Sequence, residues 1–145
     1  MSEQDAVLFA NQAFYAAFAG RDPDAMEQVW AKDRTLTCVH PGWAPLTGRE
    51  QVLASWRSIL SGNSAPRISC HQEHAVIYGD CAAVTCIEVI ESGVAKGERA
   101  QAQYLAATNI FVRVGHIWAM VHHHAGPANV DPRTLDDDAE RPKLN

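Results

Sequence analysis

The segment 108–127, reading TNIFVRVGHIWAMVHHHAGP, limits what this chain can fold into more than any other stretch. β-Branched and aromatic residues flank Gly115-His116, which reads as a strand, a two-residue turn and a second strand. Side chains alternate along a strand with period two, which predicts Trp118, Met120, His122 and His124 on one face of the second strand. Four such side chains line a pocket or an interface better than they face water.

Upstream of this hairpin the period is helical. Ser2 with Asp5 resembles a capping box, and Val7, Ala10, Phe14 and Phe18 follow at helical spacing until Gly20 stops the run. Asp22-Pro23 supplies an N-cap and an N1 proline for a second helix with Met26, Val29 and Trp30 on its apolar side. Thr47-Gly48-Arg49-Glu50 reads as a second capping box, opening a helix with Val52, Trp56, Ile59 and Leu60 inward and Gly62 at its end. From there the period is two. Residues 67–78 and 81–90 read as a hairpin turning at Gly79-Asp80, 92–97 as a looser loop, and 99–114 as a long bent strand. Helices first and antiparallel strands after them predict an α+β fold, with N-terminal helices packed on one face of a curved antiparallel sheet. The other face stays uncovered, with Val84, Ile87 and Val89 in mixed phase, which predicts a homodimer. One domain is expected over 1–127, followed by a disordered or loosely draped acidic tail over 128–145 that includes Asp136-Asp137-Asp138.

With 145 residues the chain has the length of a single domain that can bury a core. A net charge of −5 without a basic stripe argues against a nucleic-acid partner. No apolar run approaches the roughly 20 residues of a membrane span, and Glu3 and Asp5 stand where a signal peptide carries basic residues. The four cysteines, Cys38, Cys70, Cys81 and Cys86, form no CxxC pair, which predicts buried free thiols and a cytoplasmic location.

The order of these words resembles the NTF2-like superfamily, the cone-shaped, cystatin-like α+β fold of SnoaL-like proteins and ketosteroid isomerases. The resemblance is carried by Phe14-Tyr15 ahead of Gly20-Arg21-Asp22, by His40-Pro41-Gly42-Trp43, by Gly48-Arg49-Glu50 and Trp56, and by the closing strands 109–113 and 118–124. It covers about residues 5–127. The ending Trp118…His122-His123-His124-Ala125-Gly126 is most similar to SnoaL-like or DUF4440-type proteins and to the association domain of calcium/calmodulin-dependent protein kinase II.

In the steroid isomerases a carboxylate base follows the second helix, and a first-helix Tyr and a late-strand Asp hold the enolate oxygen. The resemblance puts His40, Phe14 and Asn109 at those positions. No residue type is kept, so steroid isomerisation by that mechanism is not expected, although Tyr15 neighbours Phe14. His40 remains a candidate base and Asn109 a candidate oxyanion donor. The structural alternative has His40 bonded to a backbone carbonyl and Asn109 satisfying a buried network. Phe14, Tyr15, Trp43, Trp56, Arg113, His122 and His124 are the candidate ligand-binding residues. His122 and His124, with His40, have the composition of a three-histidine metal site. No Asp or Glu lies in the matching segments, however, and neither a metal nor a cofactor is expected. The implied function is that of a SnoaL-like domain binding an unknown small molecule, as a lyase or isomerase acting through His40. The alternative is a non-catalytic oligomerisation module.

Overall fold

Ser2 caps the first helix by accepting from the Asp5 amide at 3.0 Å while the Asp5 carboxylate reaches back, so α1 runs Glu3–Ala19 to its C-cap at Gly20. Asp22 caps α2, Pro23–Val29, by accepting from the amides of Asp24 and Ala25. The computed structural model describes residues 1–62, 66–92 and 101–135. The remaining elements are β1 Thr37–Val39, β2 Leu46–Thr47, α3 Arg49–Leu60, β3 Arg67–Tyr78, β4 Cys81–Glu91, β5 Ala102–Val114 and β6 Ile117–Pro127. Residues 93–100 of the expected loop and strand start, and the Asp136–Asp138 block, lie outside the described residues. No described helix is long and apolar enough to cross a membrane.

The strands form one sheet in the order β2-β1-β6-β5-β4-β3. The strand pairs are antiparallel except β1 with β6, which is parallel and sets Thr37 opposite His122 and Val39 opposite His124, and an isolated parallel bridge joins Trp30 to Met120. The sheet is therefore mixed, where the sequence pattern predicts an antiparallel one. Glycines at positive φ make both tight turns, Gly79 at 65° and Gly115 at 64°.

The expected capping box of α3 does not form. Thr47 belongs to β2 and pairs with Thr37, so the N-cap falls on Gly48 at φ 99°, with no side-chain cap. Arg49 anchors this junction by donating from Nη1 to Ala31 O at 2.7 Å.

Helices α1 and α3 cover one face of the sheet. Phe14, Trp30, Trp56, Phe111, Met26, Leu36 and Met120 are buried there, and the Phe14 ring meets the Tyr15, Phe18, Trp30 and Trp56 rings edge-on. Val84 also faces this core and is fully buried, in contrast to its expected place on the open face. Beyond β6, Leu135 is buried, and Gln72 donates to Thr134 O at 3.2 Å.

Candidate functional site

The phase of β6 decides which histidine enters the core. Phe111 pairs with Met120 and Ile110 with His122, so Val121 is an extra residue, a β-bulge. Trp118 and Met120 face the helices as expected, but the bulge then inverts the alternation. His123, 1% exposed, takes the inward position opposite the buried Asn109. His122 and His124 are thereby placed on the outer face, against the expectation that they share a face with Trp118. There Thr37 Oγ1 bonds His122 Nδ1 at 2.7 Å, and the two rings stand 6.3 Å apart. A one-residue insertion thus exchanges the candidate histidines for their neighbour.

Inside, six residues form a directed chain of hydrogen bonds. Asn109 Nδ2 donates to Asn11 Oδ1 at 2.8 Å and to Tyr15 Oη at 3.2 Å. Its carbonyl oxygen therefore accepts from His123 Nδ1 at 2.6 Å, which fixes the imidazole as the Nδ1–H tautomer. Tyr15 Oη donates to Glu88 Oε2 at 2.6 Å, and Asn11 Nδ2 donates to Glu73 Oε2 at 2.9 Å. The unprotonated Nε2 of His123 then faces Glu88 Oε2 at 3.9 Å, closing a loop His123–Asn109–Tyr15–Glu88. Both Asn109 amide protons are engaged, so this side chain holds His123 in place.

His40 belongs to a neighbouring cluster. Ser55 gives its single proton to Val52 O at 2.6 Å and therefore accepts from His40 Nε2 at 2.8 Å, leaving the Nδ1 lone pair free of that bond. This is a side-chain partner where the structural alternative predicts a backbone carbonyl. The imidazole is 4.8 Å from the rings of both Trp43 and Trp56 and 6.3 Å from that of His123. Trp43 is 46% exposed on the loop after β1, so it stands at the surface end of this cluster. Trp56 is buried, and its indole N–H lies against the Cys38 thiol without a well-formed hydrogen bond. Phe14 packs its ring 5.0 Å from His123.

Arg113 does not reach this interior. It bonds Asp80 Oδ1 at 2.6 Å, also contacts Glu3, and lies over the Trp118 ring at the rim of the sheet. The reason lies in the hairpin: Arg113 sits beside the β3–β4 turn, and Asp80 O accepts its backbone N–H at 2.8 Å.

Among the described residues the buried polar ones are Asn11, His40, Ser55, Glu88, Asn109 and His123, with no lysine or arginine. Charge is correspondingly suppressed. Burial raises the Glu88 carboxyl to about 7, against the opposing hydrogen bond from Tyr15. Burial likewise lowers His40 to about 4 and, aided by the neighbouring histidines, His123 to about 3. The Glu88–His123 approach at neutral pH is therefore a neutral imidazole facing a carboxyl near half protonation, not an ion pair. Burial also pushes the Cys38 thiol up to about 12. Cys38, Cys70, Cys81 and Cys86 are all free thiols. Among the described residues no three His, Cys, Asp or Glu side chains are grouped to hold a metal ion.

Sequence reasoning selects His40, Asn109, Phe14, Tyr15 and Trp56, which the fold does bring together. It misses His123, Glu88, Asn11 and Glu73. Two of these carry a readable signal: Glu88 continues the inward phase Ala82, Val84, Cys86, and Asn11 lies midway between Val7 and Tyr15 at spacing four. His123 and Glu73 follow bulges, which displace them from the phase that alternation assigns.

The description "SnoaL-like domain" matches residues 7–129. A crystal structure from Streptomyces avermitilis, described as a candidate dehydratase of the NTF2-like family, is similar with a TM-score of 0.78 and 34% identity, over 88% of this chain and 97% of that one. A second, from Thiobacillus denitrificans, is described as a candidate calcium/calmodulin-dependent protein kinase type II association domain. It has a TM-score of 0.70 and 34% identity, over 83% of this chain and 93% of that one. Among curated proteins, F-box protein SKIP8 of Arabidopsis thaliana is 23% identical over 130 residues, 90% of this chain. The chain spans about half, 53%, of that protein's length.

Proposed function

The chain belongs to the SnoaL-like domain family, and from that premise we propose that it binds a small carbonyl compound in its interior and moves a proton on it, as a lyase or isomerase. The observation carrying this reading is the pairing of two neutral imidazoles with one carboxyl near half protonation, all inside an apolar shell. Glu88 alone of these titrates near neutrality, where general acid chemistry works best, while His40 stays unprotonated and able to accept. His40, beside the exposed Trp43, is the base and accepts a proton through Nδ1 from the carbon next to the carbonyl. Glu88 is the acid. In a dehydration the electron pair left on carbon forms the double bond, the C–O bond breaks, and Glu88 protonates the departing hydroxyl, releasing water. Asn109 is a positioning residue that fixes the His123 tautomer, and the cycle closes when His40 releases its proton to water and Glu88 takes one up from water. Phe14, Tyr15, Trp43 and Trp56 would form the walls around a bound molecule, and the absence of a buried lysine or arginine among the described residues favours an uncharged substrate. The dehydratase description of the Streptomyces relative agrees with this class.

Deuterium exchange at the carbon next to the carbonyl tests it, followed by NMR in D2O for a panel of cyclic ketones and β-hydroxy ketones. Wild type is expected to accelerate exchange of at least one compound, and His40→Ala to abolish that acceleration. Exchange no faster than in buffer across the panel, from protein that also carries no small molecule in native mass spectrometry, sinks the reading.

A second reading, a self-associating module without turnover, is favoured by the open sheet face. Ile87 and Ile110, both half-buried, lie on the side without helices, and the Thiobacillus relative is described as an association domain. We include a homodimer through this face, in a reducing cytoplasm suited to the free thiols, in the proposal. Native mass spectrometry of wild type and Ile110→Glu decides it: a ring larger than a dimer supports the module, and a wild-type monomer excludes both assemblies.

A further inference from the structure

Outside the interior network, two concave regions meet at the tip of the β5–β6 hairpin. One, of about 550 Å³, is lined by Trp30, Lys32, Arg34, Val114 and Ala119. The other, of about 360 Å³, is lined by Ala6, Phe9, Ala10, Ala13, Val29 and Trp118. Gln28 and Ile117 belong to both, so these are two lobes of a single groove. Exposed apolar side chains concentrate here. Met1, Phe9, Val114 and Ile117, 86%, 64%, 48% and 69% exposed, are four of the seven large exposed hydrophobics among the described residues. Scattered apolar residues on a surface need no account, but a cluster around a groove marks a contact site.

The lobes differ in polarity. The lobe against α1 is apolar apart from Gln28 and His116. Its neighbour carries Lys32 and Arg34 with Asp33 between them, a net positive charge. Neither basic side chain has an ion pair or hydrogen bond among the described residues. Trp30 lines the same lobe with a buried indole N–H that has no hydrogen-bond partner.

We infer that this groove binds an amphipathic carboxylate of the fatty-acid class, with the alkyl chain between α1 and the hairpin and the carboxylate at Lys32 and Arg34. An apolar lobe opening into a basic one complements such a molecule along its length. Concave lobes suit a single chain better than the flat surface of a bilayer. The inference is independent of the interior chemistry.

Isothermal titration calorimetry with dodecanoate, below its micelle-forming concentration, tests it against dodecanol and dodecyltrimethylammonium. Dodecanoate is expected to bind saturably at one per chain and more tightly than the ammonium compound. Lys32→Glu combined with Arg34→Glu should weaken dodecanoate at least tenfold and leave dodecanol unchanged, while Ile117→Asp removes both. His40→Ala, its fold checked by circular dichroism, should retain dodecanoate binding. Absent saturation, equal affinity for the ammonium compound, or loss of binding in folded His40→Ala overturns the inference. So does pelleting with phospholipid vesicles in place of dodecanoate binding, which would assign the patch to a bilayer.

Discussion

His123 and His124 are neighbours in the chain, yet the sheet separates their surroundings. His123 packs between Phe14 and Trp56, with ring centroids at 5.0 and 5.7 Å, and donates to Asn109. His124 is exposed on the outer face, with the His122 ring 6.3 Å away. Both are imidazoles on one strand, so residue type does not separate them; phase does. The bulge at Val121 costs one ladder position and in return brings His123, rather than His122, opposite Asn109. The inner face consequently holds interactions that burial makes expensive to break, and the outer face holds ones that water can replace.

That contrast predicts a ranking of effects. Phe14→Ala removes the ring that touches Tyr15, Trp30, Trp56 and His123, and should cost about 3–5 kcal/mol in urea denaturation. A loss below about 1 kcal/mol would show the inner face to be loosely packed. Asn109→Leu comes next. It leaves the His123 Nδ1–H and Asn11 Oδ1 buried without partners, at about 1–3 kcal/mol each. Its outer-face counterpart, Thr37→Val, breaks the half-buried bond to His122 and should cost only about 0.5–1.5 kcal/mol. Equal losses from the two would erase the distinction between the faces.

Acidity sharpens the comparison without changing packing. Folded Glu88 titrates at about 7, above its ordinary 4.5, so the folded chain holds a proton that the unfolded chain releases. Stability from this group is full below pH 4.5 and is lost as the pH rises through 7. His40 and His123 run the other way, from an ordinary 6.5 down to about 4 and about 3. Their contribution is full above pH 6.5 and is lost as the pH falls through those values. Glu88→Gln removes only the first limb and keeps an acceptor for Tyr15. The variant should gain stability over wild type at pH 8 relative to the same comparison at pH 5, measured by urea denaturation at both. A difference that does not change with pH would mean that Glu88 is ionised throughout.

The same contrast explains what was legible in the sequence. The caps of α1 and α2, the glycine turns and the strand periods are set by local chemistry, and they fall where the pattern predicts. The parallel β1–β6 pairing joins residues 85 apart, and no local signal announces it. Bulges at Val121 and near Gln72 are equally silent, because nothing in either stretch requires an inserted residue; Gln72 adopts φ 55°, although its type does not favour it. The aromatic half of the candidate site, Phe14, Tyr15 and Trp56, sits on helices whose period is uninterrupted, and it was readable. His123 and Glu73 sit just past an interruption, and they were not.

The smallest expected effect belongs to His124→Ala. The ring is exposed, and no hydrogen bond of the described residues uses its nitrogens, so the change should stay within about ±0.5 kcal/mol. Its neighbour gives the control: His123→Ala deletes a buried ring and leaves Asn109 Oδ1 without its donor. If β6 instead slips by one residue in solution, His124 becomes an inward residue and the two substitutions exchange their costs. Thermal denaturation of the pair therefore reads out the bulge itself: a large loss for His123→Ala beside a near-wild-type His124→Ala fixes it, and the reverse order moves the interior histidine one residue along the chain.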